Sequence, residues 1–277
     1  MKNRAIVVGT AGIDSGNTAV AWAAREARLR RRALHIVHVL EWNPAEARDA
    51  GNDTYVERVW GSSTATTAAA TRCARDIAPE VDVTADTVIG HPAERLLELA
   101  RDAELLVVGH RGRGGFAGLR LGSVGQRVAA HAACPVAVVR GLPAADGPVV
   151  AGVDDSPAAD TVLETAFTTA AARAAGLTIV RSFAAERDGA EHVLVRDQLA
   201  PWREKFPDVP VETLLTQEGV ARALVGASSS AQLVVVGSRG RGAIRGALLG
   251  STGLHLLQHA GCPVLVAHSY AGNRWVG

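Results

Sequence analysis

Two stretches of the chain have the residue types and spacing to hold an anionic ligand. In the first, Leu105, Leu106, Val107 and Val108 run into Gly109, His110, Arg111 and Gly112, and nine residues later stand Gly122, Ser123 and Val124. In the second, Leu233, Val234, Val235 and Val236 run into Gly237, Ser238, Arg239 and Gly240, and again nine residues later stand Gly250, Ser251 and Thr252. Each reads as strand, glycine-rich loop and helix start. Glycine tolerates positive φ and lets a ligand come close to the backbone, and a small hydroxyl residue can open a helix whose free N–H groups attract an anion. A single loop of this kind could be a solvated turn. Here Gly109, Gly112, Gly122, Ser123 and the pair Cys134-Pro135 all recur 128 positions on, as Gly237, Gly240, Gly250, Ser251 and Cys262-Pro263. A fixed offset of this kind is an internal repeat.

A second candidate group follows another apolar run: Gly152, Val153, Asp154, Asp155, Ser156 and Pro157. A carboxylate there could accept hydrogen bonds from ribose hydroxyls, or it could cap a helix that opens at Pro157. By position alone the two readings stand level. Aligning Gly9 with Gly152 without gaps keeps the next helix and strand in step and puts Ala11 opposite Asp154. Matching Gly12-Ile13-Asp14 to Gly152-Val153-Asp154 instead restores the acid but shortens the helical segment by about one turn. The gapless version is preferred, so the first half keeps the glycine loop and lacks the carboxylate.

The elements that must position these groups alternate along the chain. Residues 4–9 form a short apolar run ending at glycine, as a buried central parallel strand would. Residues 17–32 fit a helix with Val20, Ala23, Ala24, Ala27 and Leu29 inward, Glu26 and the arginines outward, and the basic run 28–32 solvated. Residues 34–40 are a β-branched strand whose two histidines read as core or edge residues. A loop over 41–53 leads to a helix over 55–77, then to an alternating, edge-like strand over 81–88. Pro92 opens a short helix, residues 123–132 form another, and Cys134-Pro135 start a last strand. Residues 141–148 read as a linker, after which the series repeats. Strand and helix alternating in this way predict an α/β fold: two tandem, doubly wound, parallel five-stranded sheets, with ligands beyond the strands' carboxyl ends. The domains are expected at 1–142 and 147–277.

With its G-2x-G-9x-G-(S/T) motif in both halves, the chain resembles the ATP-binding universal stress proteins across almost its whole length, a Rossmann-like fold related to the adenine-nucleotide α-hydrolases. The resemblance implies ATP, alone or with Mg2+, as ligand. It places Val236, Gly237, Gly240, Gly250, Ser251 and Thr252 around phosphates and sugar, and Gly152, Val153, Asp154 and Ser182 on the ribose and base side; Arg239, by its charge, could neutralise phosphate or simply keep the loop soluble. In the first half the matching positions are Val39, Val108, Gly109, Gly112, Gly122, Ser123 and Val124. ATP is expected to bind better in the second half, which alone joins the cradle to an aspartate. The resemblance also implies a nucleotide-dependent regulator acting on an unknown protein partner. It further implies an intrachain pseudo-two-fold pairing of the halves through their last strands, and admits a homodimer of such chains.

Other classes find less in the sequence. No lysine follows Gly240 or Gly250 as in a Walker loop, and no nucleophile, base and orienter are grouped for turnover, so no catalytic residue is assigned. An adenylate-forming or ATP-hydrolysing enzyme of the same fold group is the alternative, and a flavin-bearing electron-transfer protein of similar fold is a third. No cysteine or histidine pair has zinc-ligand spacing, so no metal site is expected. A net charge of +1, with 48% hydrophobic and 21% charged residues, gives no case for nucleic acid or anionic membrane as a partner. No apolar run approaches the roughly 20 residues of a bilayer span, and three scattered cysteines suit a reduced, cytoplasmic protein.

Overall fold

Short valine- and leucine-rich runs separated by amphipathic helices can bury both faces only in a parallel sheet covered by its own crossovers. The computed structural model of the protein has that form. It describes residues 4–12, 14–41, 48, 52–112, 121–183, 188–238 and 249–268, and the chain divides into two units, Met1–Val139 and Arg140–Gly277. The first contains β1 (Ile6–Thr10), α1 (Asp14–Arg30), β2 (Leu34–Leu40), α2 (Asn52–Ile77), β3 (Val83–Ile89), α3 (Pro92–Leu99), β4 (Leu105–Gly109), α4 (Ser123–His131) and β5 (Val136–Val139). The second contains β6 (Val149–Gly152), α5 (Ala159–Ala172), β7 (Leu177–Ser182), α6 (Asp188–Lys205), β8 (Val211–Thr216), α7 (Val220–Ala227), β9 (Leu233–Gly237), α8 (Ser251–His259) and β10 (Val264–Ala267). Within the first unit the strands lie in the order β3-β2-β1-β4-β5, and within the second in the order β8-β7-β6-β9-β10. The registers are parallel throughout each unit. This is the expected doubly wound α/β architecture.

The registers also decide the alignment of the two halves. Ile6 pairs with Leu34 and Val149 with Leu177, so residues 143 apart hold equivalent places in β1, β2 and their counterparts. The turns after α1 and α5 agree, since the non-glycine residues with positive φ are Arg31 (52°) and Ala174 (49°), again 143 apart. Ala11 therefore stands opposite Asp154, and Asp14 is the first residue of α1 rather than an end-of-strand acid.

Several local expectations are corrected. The first helix begins at Asp14, three residues before the predicted start, and β5 begins at Val136, two residues after Cys134. Glu26 is buried rather than outward, and accepts a 2.6 Å bond from Arg30 Nε, while Leu29 is 40% exposed. The basic run is only partly solvated, because Arg30 and Arg32 both reach Glu104. The helical period sets spacing, but Arg30 can fold back one turn and draw its partner beneath it. Of the two β2 histidines, His35 pairs with Asp86 at 2.8 Å, and His38 is buried with Nδ1 2.9 Å from the Thr10 carbonyl oxygen. Among the described residues no helix is long and apolar enough to cross a membrane.

Cys134 and Cys262 are fully buried free thiols, while Cys73 is half-buried. Burial pushes both buried thiols up to about 12, against a smaller opposing effect of the Leu106 and Val234 backbones. Glu26→Ala should cost about 2 kcal/mol in chemical denaturation, because it leaves Arg30, only 17% exposed, without its nearest carboxylate. In native protein a thiol reagent should modify Cys73 first. The unfolded chain releases the two buried protons near pH 9 while the folded chain holds them to about 12, so denaturation midpoints should fall as pH rises through that window.

Candidate functional site at the carboxyl edge of the sheet

Pairing of β1 with β4, Gly9 opposite Val108, brings the turn after β1 beside the loop after β4. That is the point where strand order reverses, and in such sheets a crevice forms there. In the first unit a cleft of about 740 Å³ opens at this point. All seven first-half positions implied by the resemblance line it: Val39, Val108, Gly109, Gly112, Gly122, Ser123 and Val124. Ala11 lines it too, with no acid at that place.

The loop after β4 is held at its neck by main-chain bonds. Gly122 N donates to the His110 carbonyl at 2.8 Å, and His110 N donates to Val139 at 3.0 Å. The second unit repeats the neck, with Gly250 N donating to the Ser238 carbonyl at 2.8 Å and Ser238 N to Ala267 at 3.2 Å. No side chain caps α4 or α8, and a helix's first-turn N–H groups have no acceptor of their own within the helix. Both helices thus open on backbone donors, and Ser123 and Val124 bring those of α4 to the cleft. Arg111 extends beside this loop with its Nε 3.0 Å from His110 Nε2.

The glycines do not all serve the purpose expected of them. Gly122 has φ −78° and ψ 153°, and Gly250 has φ −67° and ψ 154°, angles open to any residue. The tolerance of glycine for positive φ is therefore not what Gly122 and Gly250 contribute. A Cβ on Gly122 would lie 3.6 Å from Gly112 N and from the His110 oxygen, inside the mouth of the loop. What glycine gives at this position is space in front of a main-chain donor. Gly9 and Gly152 have a packing reason instead, because a Cβ would fall 2.9 Å from Leu96 Cδ1 and 2.7 Å from Leu224 Cδ1.

In the second unit, Gly152, Val153, Asp154, Ser182, Val236, Gly237, Gly250, Ser251 and Thr252 occupy the matching strand ends and helix start. Half-buried Asp154 accepts a 3.0 Å bond from Ser156 N through Oδ1 and so closes the turn after β6, but it caps no helix, because α5 opens at Ala159 rather than Pro157 and no side chain caps it. Ser182 Oγ donates to the Glu218 carbonyl at 3.1 Å, tying the end of β7 to the turn before α7. Arg239 and Gly240 lie outside the described residues, as do Arg241 and Arg245.

Two features escaped the sequence reading. On the side of α2, buried Tyr55 and exposed Arg58 line the cleft, the guanidinium carbon 5.6 Å from the ring centre. Their three-residue spacing near a helix start was the available signal. In β7, Arg181 is 1% exposed and donates to Asp155, to Glu191 and, at 3.0 Å, to Gln198 Oε1. A lone arginine inside an apolar strand run was the clue. Among the described residues no three His, Cys, Asp or Glu groups converge as a metal site.

A doubly wound unit with a glycine loop over its switch point, present twice in one chain, defines a class, and direct comparison agrees with it. The model of the universal stress protein family matches residues 2–140 and again 147–268. The chain belongs to the universal stress protein family. A universal stress protein of Mycobacterium tuberculosis is 33% identical over 294 aligned positions, covering 96% of this chain and 97% of the relative. Another from the same organism is 32% identical over 299 positions, covering 95% of each. A crystal structure of a universal stress protein from Archaeoglobus fulgidus has the same fold, with a TM-score of 0.75 at 16% identity over 96% of this chain and 99% of that one.

The glycine geometry predicts that Gly122→Ala and Gly122→Val fold normally. Their thermal melting should stay within about 1 kcal/mol of the parent, since the site needs no special φ and a small helix-cap effect is all that changes.

Proposed function

We propose that the protein binds adenine nucleotide, ATP alone or with Mg2+, at the carboxyl edge of each of its two domains, 1–142 and 147–277. It acts as a nucleotide-dependent stress regulator in the cytoplasm with little or no hydrolysis. The observation that carries this reading is the first-unit cleft, whose lining contains every motif position of that half. Its volume of about 740 Å³ falls within the roughly 300–1,000 Å³ of ordinary small-molecule sites. Its lining combines two chemistries, with Val39, Leu96 and Tyr55 as apolar groups suited to a base. The N–H groups of the glycine loop and α4, with the Arg111 guanidinium, suit phosphates. Any Mg2+ would be held by the phosphate oxygens, because no protein carboxylate cluster stands ready for it among the described residues.

The second unit offers the same strand ends and helix start with Asp154 in addition, and we assign it the tighter site. The low hydrolysis follows from the absence of a Walker lysine and of any grouped nucleophile and base. A nucleotide held but not turned over is suited to altering which protein partner the chain meets.

Titration calorimetry with ATP tests the assignment. Asp154→Ala should lose charge-assisted bonds to the ribose worth about 1.5–3 kcal/mol, roughly a tenfold to hundredfold rise in Kd for one of two sites. Gly122→Val should remove the other, weaker site by filling the loop mouth. If Gly122→Val abolishes all binding and Asp154→Ala changes nothing, the first unit alone holds nucleotide and the assignment is reversed.

A further inference from the structure

We infer that Arg181 and Gln198 are positioning residues that aim the turn bearing Asp154 at the nucleotide, and that they set how strongly the second unit distinguishes ribose hydroxyls. The inference rests on the reading that Asp154 meets the ribose. Arg181 projects from β7 and is 1% exposed, with Glu191, 4% exposed, on its Nε and Asp155, 46% exposed, on Nη2. Its Nη1 donates to Gln198 Oε1 at 3.0 Å. Gln198 then uses its own amide, Nε2, to donate to the main-chain carbonyl of Asp154 at 3.3 Å. The turn after β6 is thereby fastened from two directions, through the Asp155 side chain and the Asp154 carbonyl, to one buried cation and to α6. A planar guanidinium with its donors in a fixed fork sets direction as well as distance, which a lysine would not do.

The first unit provides an internal comparison. At the offset of 143 residues, Asp154, Asp155 and Arg181 correspond to Ala11, Gly12 and His38, so the acid, its neighbour and the cation are all replaced together. His38 there has its Nδ1 2.9 Å from the Thr10 carbonyl oxygen. A network serving only the stability of the fold would have reason to appear in both units, which share strand order and register. One that serves Asp154 has a reason to appear only where the aspartate does.

The experiment uses the full chain carrying Gly122→Val, so that heat is read from the second unit, and titrates ATP and 2′,3′-dideoxy-ATP into the parent, Asp154→Ala, Gln198→Leu, Arg181→Lys and Asp154→Ala/Gln198→Leu. Gln198→Leu should raise the Kd for ATP about tenfold while leaving that for the dideoxy analogue within about twofold. The double variant should bind no more weakly than Asp154→Ala alone, because the two changes act through one contact. Arg181→Lys keeps the charge and should lose ribose discrimination in the same way. Equal weakening of both nucleotides, or additive losses in the double variant, overturns the inference and leaves Arg181 a packing residue. Dependence on Asp154 without dependence on Gln198 overturns the inference alone. Indifference to Asp154 itself overturns the site reading and the inference with it.

Discussion

The pairing of the first strand of each unit with the fourth is the constraint on which the rest depends. Parallel strands cannot be joined by a tight turn, so β2 and β3 lie to one side of β1 while β4 and β5 lie to the other. The loops leaving β1 and β4 must then diverge from neighbouring strand ends, and the space between them is the cleft. Gly9 opposite Val108 fixes that juxtaposition to within one residue. A slip of one place would invert every side chain of a strand buried on both faces. The neck bond from Gly122 N to the His110 carbonyl then closes the loop after β4 upon itself, and its counterpart at Gly250 and Ser238 does the same in the second unit. The glycine motif is thus a main-chain device, and side chains enter chiefly at its rim.

Around this shared frame the two units differ in how they place charge. The first has an open cleft with Tyr55 and Arg58 on the α2 wall and Ala11 at the strand end. The second has an acid at the strand end and a buried arginine beneath it. Burying Arg181 is costly unless its donors are met, and Glu191, Asp155 and Gln198 meet them. Such a cluster has little freedom to rearrange, and the first unit builds the corresponding turn differently, through Gly12 at φ 69° with its N–H donating to Thr10 Oγ1. Two copies of one fold in a single chain can in this way keep the same ligand edge while dividing its chemistry.

The sequence by itself determined the strand and helix order, the repeat, and the placing of Gly109, Gly112, Gly122 and Ser123 at one strand end and helix start, because each depends on short-range facts. Hydrophobic period, the preference of Pro92 for a helix start, and the fixed spacing from Gly109 to Gly122 are all readable along the chain. For the acid missing at Ala11 the sequence offered two alignments and a preference between them, and the sheet registers decided it. Tertiary structure alone decided what distant groups do to one another. Glu26 reads along the chain as an outward helix residue, and only the fold shows it buried against Arg30, which also reaches Glu104, while the role of Arg181 is set by partners that α6 and the turn after β6 supply. The role of Gly122 was also undecidable beforehand, because only the fold gives its φ of −78° and shows that its missing side chain leaves room in front of Gly112 N. Local propensity is written in neighbours a few residues apart, whereas burial of a charge and the space beside a loop are set by segments brought together only when the sheet forms.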